Sequence, residues 1–100
     1  MEVNGLTLAE TGISVKSPGM YAVVMFNDDI TTMDFVVDIL VKLFHKTVTE
    51  AATIMMDIHE RGQGIAGVYT FDIAATKKAQ ADRMAAEKGF PLKLTVREVV

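Results

Sequence analysis

Met20-Tyr21-Ala22-Val23-Val24-Met25-Phe26, halted by Asn27-Asp28-Asp29, is the stretch from which the rest of the chain can be read. Seven apolar residues rich in β-branched and aromatic side chains have the composition of a buried strand. The three short polar residues then impose a turn, because Asn and Asp side chains bond back to nearby backbone. A helix is predicted next. Thr31 and Asp34 stand at capping-box spacing, with a hydroxyl available to cap and an acid at the third helical position. Val36, Ile39, Leu40, Leu43 and Phe44 recur at the helical period and make one apolar face.

Thr47 and Glu50 repeat the capping spacing and open a second helix, whose stripe is Ala51, Ile54, Met55 and Ile58. Gly62 stands where a left-handed cap is expected. Residues 65–69 read as a short buried strand. Thr70 and Asp72 open an Ala-rich third helix running to about Lys88, which Gly89 ends and Pro91 prevents from resuming. Leu92, Leu94 and Val96 alternate with Lys93, Thr95 and Arg97, the pattern of a strand with one wet face. The order βααβαβ predicts an α+β fold: a small three-stranded antiparallel sheet with three helices packed on it. Residues 1–19 carry Gly5, Gly12, Pro18 and Gly19 and no sustained period. They read as a flexible extension ahead of a core domain at 20–100, with a loosely attached strand through Leu6, Leu8, Ile13 and Val15 as the alternative.

The bulk numbers bound the function. One hundred residues, half of them hydrophobic, suit a single domain with one core. A net charge of −3 argues against a general nucleic-acid surface, which needs clustered Lys and Arg. With no cysteine, disulfide, thiolate and Cys–zinc chemistry are excluded. No run approaches the roughly 18 apolar residues of a membrane span, and no basic–apolar leader stands at the N-terminus. A cytoplasmic protein acting away from membranes is expected.

Several apparent motifs fail on context. Gly62, Gly64 and Gly67 match GxGxxG, but a dinucleotide site needs a strand before the glycines and a helix after them, and here the order is reversed. His59-Glu60 begins an HExxH-like string whose second His is replaced by Gln63. A mixed metal site of Asp28, Asp29 and His59 is an incomplete ligand set. The only serines, Ser14 and Ser17, lie in the extension, and no base or oxyanion hole accompanies them. The seven methionines either fill core gaps or line an adaptable apolar pocket.

The run from Tyr21 to Asp38 resembles the opening of the ClpS family, adaptors of the N-end rule for the ATP-dependent Clp protease. Ala51, Met55, Met56, Ile58, His59 and Gly62 resemble that family's second helix. Gly67-Val-Tyr-Thr-Phe-Asp-Ile-Ala-Ala-Thr-Lys-Lys and then Pro91-Leu92 resemble its later blocks. The similarity spans residues 20 to about 97. It implies an adaptor without catalysis or cofactor, whose groove captures the first residue of a substrate. By match, Asn27, Asp28 and His59 hold the α-amino group. Thr31, Met33, Val36, Met55, Ile58 and Leu92 form the pocket for Leu, Phe, Tyr or Trp, with Met33 crowding its mouth. Asp72 and Lys77 dock a ClpA-type AAA+ unfoldase, the extension at 1–19 assists delivery, and the adaptor acts as a monomer.

The implied chemistry is sound. An α-amino group with a pKa near 7.7–8.0 is mostly cationic at neutral pH and offers three donors to a carboxylate, an amide oxygen and a neutral imidazole. Burying one Leu or Phe adds about 1.5–3 kcal/mol. After the cost of association, an affinity around micromolar, on the order of −8 kcal/mol, is expected. Taken without the resemblance, Asn27-Asp28-Asp29 is a turn at a helix N-terminus, His59 a residue that the dipole favours near a helix C-terminus, and Met55 and Ile58 core. Thr32 replaces a frequent Pro of the family, Ile30 a common aromatic, and Glu60, Arg61 and Gln63 make a more polar variant after His59. A protein-interaction module built like the C-terminal domain of the ribosomal stalk protein is the alternative.

Overall fold

The computed structural model describes residues 19–99. The elements follow the predicted order: β1 (Met20–Phe26), α1 (Met33–Lys42), α2 (Val48–Arg61), β2 (Gln63–Thr70), α3 (Phe71–Lys88) and β3 (Lys93–Val99). The described part of the predicted core domain is thus one α+β unit; residues 1–18 of the predicted extension at 1–19, and Val100, lie outside the described residues. The sheet is antiparallel throughout with β1 in the middle, in the order β2-β1-β3. β1 pairs in unbroken register with β3, from Met20 opposite Val99 to Phe26 opposite Lys93. Against β2 the register shifts once. Val23 faces Gly67 and Val24 faces Ile65, so Ala66 is the extra residue of a bulge.

Alternation along β1 sends Val23 and Met25 to the helical face, where they join Ile39, Leu40, Phe44, Ile58 and Leu94 in one core. Ala22 and Val24 are also buried, but on the opposite face. There Val24 aligns with Ile65 and Ala22 with Val68. The inner face of α3 is made of Ala74, Ala81 and Ala85. Side chains this short let the helix axis approach the sheet closely. Phe35 and Phe90 meet edge to face at 5.0 Å and close the end of the core beside α3.

The helix ends mostly follow the sequence reading, with one correction. The N-cap of α1 is Thr32, whose hydroxyl accepts from the Phe35 N–H at 3.1 Å. Thr31, the expected cap, has its hydroxyl committed elsewhere. Thr47 and Glu50 form the predicted reciprocal capping box. Thr70 occupies the N-cap position of α3, but its hydroxyl makes no capping bond. Gly62 and Gly89 end α2 and α3 with φ of 88° and 73°, where an L side chain is strained. β2 begins at Gln63 rather than at residue 65, because the strand starts directly after the Gly62 cap.

Candidate functional site

The site is built where β1 runs out. The N–H of Asn27 donates to the Gly62 carbonyl at 2.9 Å, which ties the turn to the C-terminal end of α2. Asp28 then organises the turn. Its Oδ1 accepts from the Ile30 N–H at 2.8 Å and the Thr31 N–H at 2.6 Å, and its Oδ2 accepts from the Thr31 hydroxyl at 2.7 Å. A carboxylate has about four acceptor positions, so one remains, on Oδ2. Partial burial of Asp28 opposes its ionisation, but the two bonds from Thr31 and the one from Ile30 outweigh it and hold the carboxyl below its ordinary range.

Behind this turn, α1 and α2 leave a cleft of about 260 Å³ between them. Its walls follow helical spacing: Met33 and Val36 one turn apart on α1, and Met55, Ile58 and His59 one turn apart on α2. Val36 and Ile58 are buried and form the apolar floor, while Met33 stands half-exposed at the mouth. Asn27, Asp28, Asp29 and His59 supply the polar lining, and Thr31 completes it. The cleft therefore joins an apolar hollow to a group of acceptors, two of them carboxylates. A ligand with a cationic donor head and a bulky apolar branch on the adjacent atom fits that pattern.

Eight of the eleven side chains singled out in the sequence meet in this one cleft: Asn27, Asp28, Thr31, Met33, Val36, Met55, Ile58 and His59. Leu92 does not join them; it is buried in the core just before β3. Asp72 and Lys77 lie apart, on α3. Asp72 is exposed in the first turn. The Lys77 ammonium is engaged: it donates to the Leu43 carbonyl at 2.8 Å and sits 5.4 Å from the centre of the Tyr69 ring. It ties α3 to the end of α1. Asp29 is a lining residue that sequence reasoning considered only for a metal. Its one signal was its place in the same turn as Asn27 and Asp28. Among the described residues no three His, Asp or Glu side chains are grouped so as to hold a metal ion.

A compact α+β domain with an open cleft, an apolar floor and a rim of acceptors has the outline of a recognition module. The comparisons give the family. The model of the ATP-dependent Clp protease adaptor protein ClpS matches residues 16–95. The ClpS adapter protein of Acetivibrio thermocellus is 55% identical over 83 residues, covering 83% of this chain and 84% of that protein. That of Syntrophus aciditrophicus is 52% identical over 85 residues, covering 85% and 79%. Among solved structures, Agrobacterium tumefaciens ClpS2 bound to L-phenylalaninamide superposes with a TM-score of 0.79 at 34% identity, covering 83% of this chain and all of that one. The chain belongs to the ClpS family, the adaptors of the ATP-dependent Clp protease. It is accordingly an adaptor and not an enzyme, and among the described residues no helix is long and apolar enough to cross a membrane.

Proposed function

We propose that this adaptor captures substrate proteins by a free N-terminal residue with a bulky hydrophobic side chain, and delivers them to a ClpA-type AAA+ unfoldase for degradation. The observation that carries the reading is the union, in one cleft, of an acceptor rim with an apolar hollow. Its support from outside the chain is that a structural relative holds L-phenylalaninamide, a free α-amine next to a benzyl side chain. In this reading the ammonium is taken by the Asn27 amide oxygen, an unprotonated His59 nitrogen and the remaining position on Asp28 Oδ2. Asp29 adds a second negative charge at the rim. Charge-assisted bonds of this kind are worth about 1.5–3 kcal/mol each. The apolar branch enters between Met33, Val36, Met55 and Ile58, and Thr31 presents its methyl because its hydroxyl is used by Asp28. Leu92 supports the core behind them.

Docking to the unfoldase falls to the outer face of α3 around Asp72. For Lys77 to take part it must exchange its bond to the Leu43 carbonyl for one to the partner. The adaptor works as a monomer in the cytoplasm without a cofactor, and the extension at 1–19 assists delivery. Fluorescence anisotropy with peptides beginning in Leu or Phe tests the capture step, against the same peptides N-acetylated and against peptides beginning in Ile or Arg. Micromolar binding of the free peptides, lost on acetylation, is expected. Equal weak binding of all of them would sink the reading.

A further inference from the structure

We infer that Gly64, which does not touch the cleft, sets the cleft's depth by acting through Ile58. The inference rests on the N-terminal-residue reading and deepens it by naming a determinant of which side chains are admitted. A methyl group added at Gly64 would lie 2.9 Å from Ile58 Cγ1, closer than such carbons approach, and 3.3 Å from the Ile54 carbonyl oxygen. The glycine is therefore there for room. Its φ is not among the positive ones, so the backbone itself accepts alanine.

The surroundings decide which group gives way. Ile54 O belongs to the backbone of α2, held by the helix. On the strand side Gly64 is paired with Met25, which is wholly buried in the core. Ile58 has Gly64 on one side and the cleft on the other, and the cleft is open space. Protein interiors are close-packed, so a displaced side chain moves into the void available to it. A side chain at position 64 thus pushes Ile58 into the hollow and makes it shallower. Gly64 is a positioning residue for the pocket floor.

The test is a double-mutant cycle of Gly64→Ala and Ile58→Val, read with free-amine peptides beginning in Leu, Phe and Trp. A change of one methylene in an apolar pocket shifts selectivity by about tenfold or more. Gly64→Ala is expected to lower Phe and Trp binding about tenfold relative to Leu, and Ile58→Val, which removes the Cδ1 methyl, to restore the ratio in the double variant. An unchanged ratio, a parallel loss for all three peptides, or no restoration overturns the inference. Methyl NMR of the peptide-free protein decides the point independently of what the cleft binds. In Gly64→Ala the Ile58 δ1 methyl should gain contacts to the Val36 and Met55 methyls, and unchanged contacts would overturn the inference. Failure of the wild-type protein to distinguish free from acetylated peptides would count against the proposed function instead.

Discussion

Thr31 shows how much of the site depends on one hydroxyl. By spacing it should cap α1. Instead Thr32 caps, and the Thr31 hydroxyl and N–H both serve the Asp28 carboxylate. Replacing Thr31 by Val keeps the shape and removes the side-chain donor. One such bond is worth about 1 kcal/mol, so a roughly fivefold loss of affinity for a Leu-initiated peptide is expected. Thr31→Ser, which keeps the hydroxyl, should bind as the wild type; a loss in Thr31→Ser with none in Thr31→Val would show that the methyl matters and the bond does not. The same carboxylate predicts a pH dependence of stability. Its folded pKa lies below that of an ordinary aspartate, so the unfolded chain binds the proton more readily. The stabilisation is present above the unfolded pKa and is lost as pH falls through the folded one. Asp28→Asn should therefore flatten the decline in urea midpoint between pH 5 and pH 2.5, and an unaltered slope would refute the coupling.

At the scale of elements, the helix ends carry the sharpest expectations, because they rest on contacts between near neighbours. Thr47 and Glu50 satisfy each other's backbone donors, and the bonds from Thr47 hold the Glu50 carboxyl below its ordinary range. Thr47→Ala should cost about 1 kcal/mol in chemical denaturation. After α1 the chain turns through His45 at φ 57°, a left-handed position, and the Lys46 N–H closes back on the Leu40 carbonyl at 3.1 Å. His45→Gly removes the steric penalty of about 1–2 kcal/mol but adds unfolded-state freedom, so a net gain on the order of 0.5 kcal/mol is expected. Caps, periods and turns were legible because they are written within a few residues. The one-residue error at Thr31 arose where two adjacent hydroxyls competed and a distant criterion, the needs of Asp28, decided between them. The Ala66 bulge was illegible for a related reason: a register shift belongs to a pair of strands, and neither strand shows it alone. The family resemblance puts Leu92 in the pocket, whereas its alternation with Leu94 marks it as core, where it lies. No spacing rule joins Asn27 to His59; the bond from the Asn27 N–H to the Gly62 carbonyl does.

Across the whole molecule, the cleft and the α3 face are different surfaces of one small domain, so the proposed capture and delivery should be separable by mutation. The cleft lies between α1 and α2 at the Phe26 end of β1. Asp72 sits at the start of α3, after Thr70, which pairs with Met20 at the opposite end of that strand. A charge reversal there is too remote to disturb the acceptor rim, since exposed charges beyond roughly 10 Å are screened at 0.1 M salt. Asp72→Lys should leave peptide affinity within about twofold, because surface substitutions of this kind seldom exceed 0.5 kcal/mol. It should also abolish adaptor-dependent degradation of a Leu-initiated substrate by a ClpA-type unfoldase with its protease. Lys77 offers the contrasting case. Its bond to the Leu43 carbonyl joins α3 to the end of α1, the helix that carries Met33 and Val36. Lys77→Met keeps the stem over Tyr69 and removes the donor, so it should lower stability by about 1 kcal/mol and speed amide exchange at Phe44–Lys46. If Lys77 serves only the partner, that exchange will not change while degradation fails. If it serves only the fold, degradation will persist once part of the lost stability is recovered with His45→Gly.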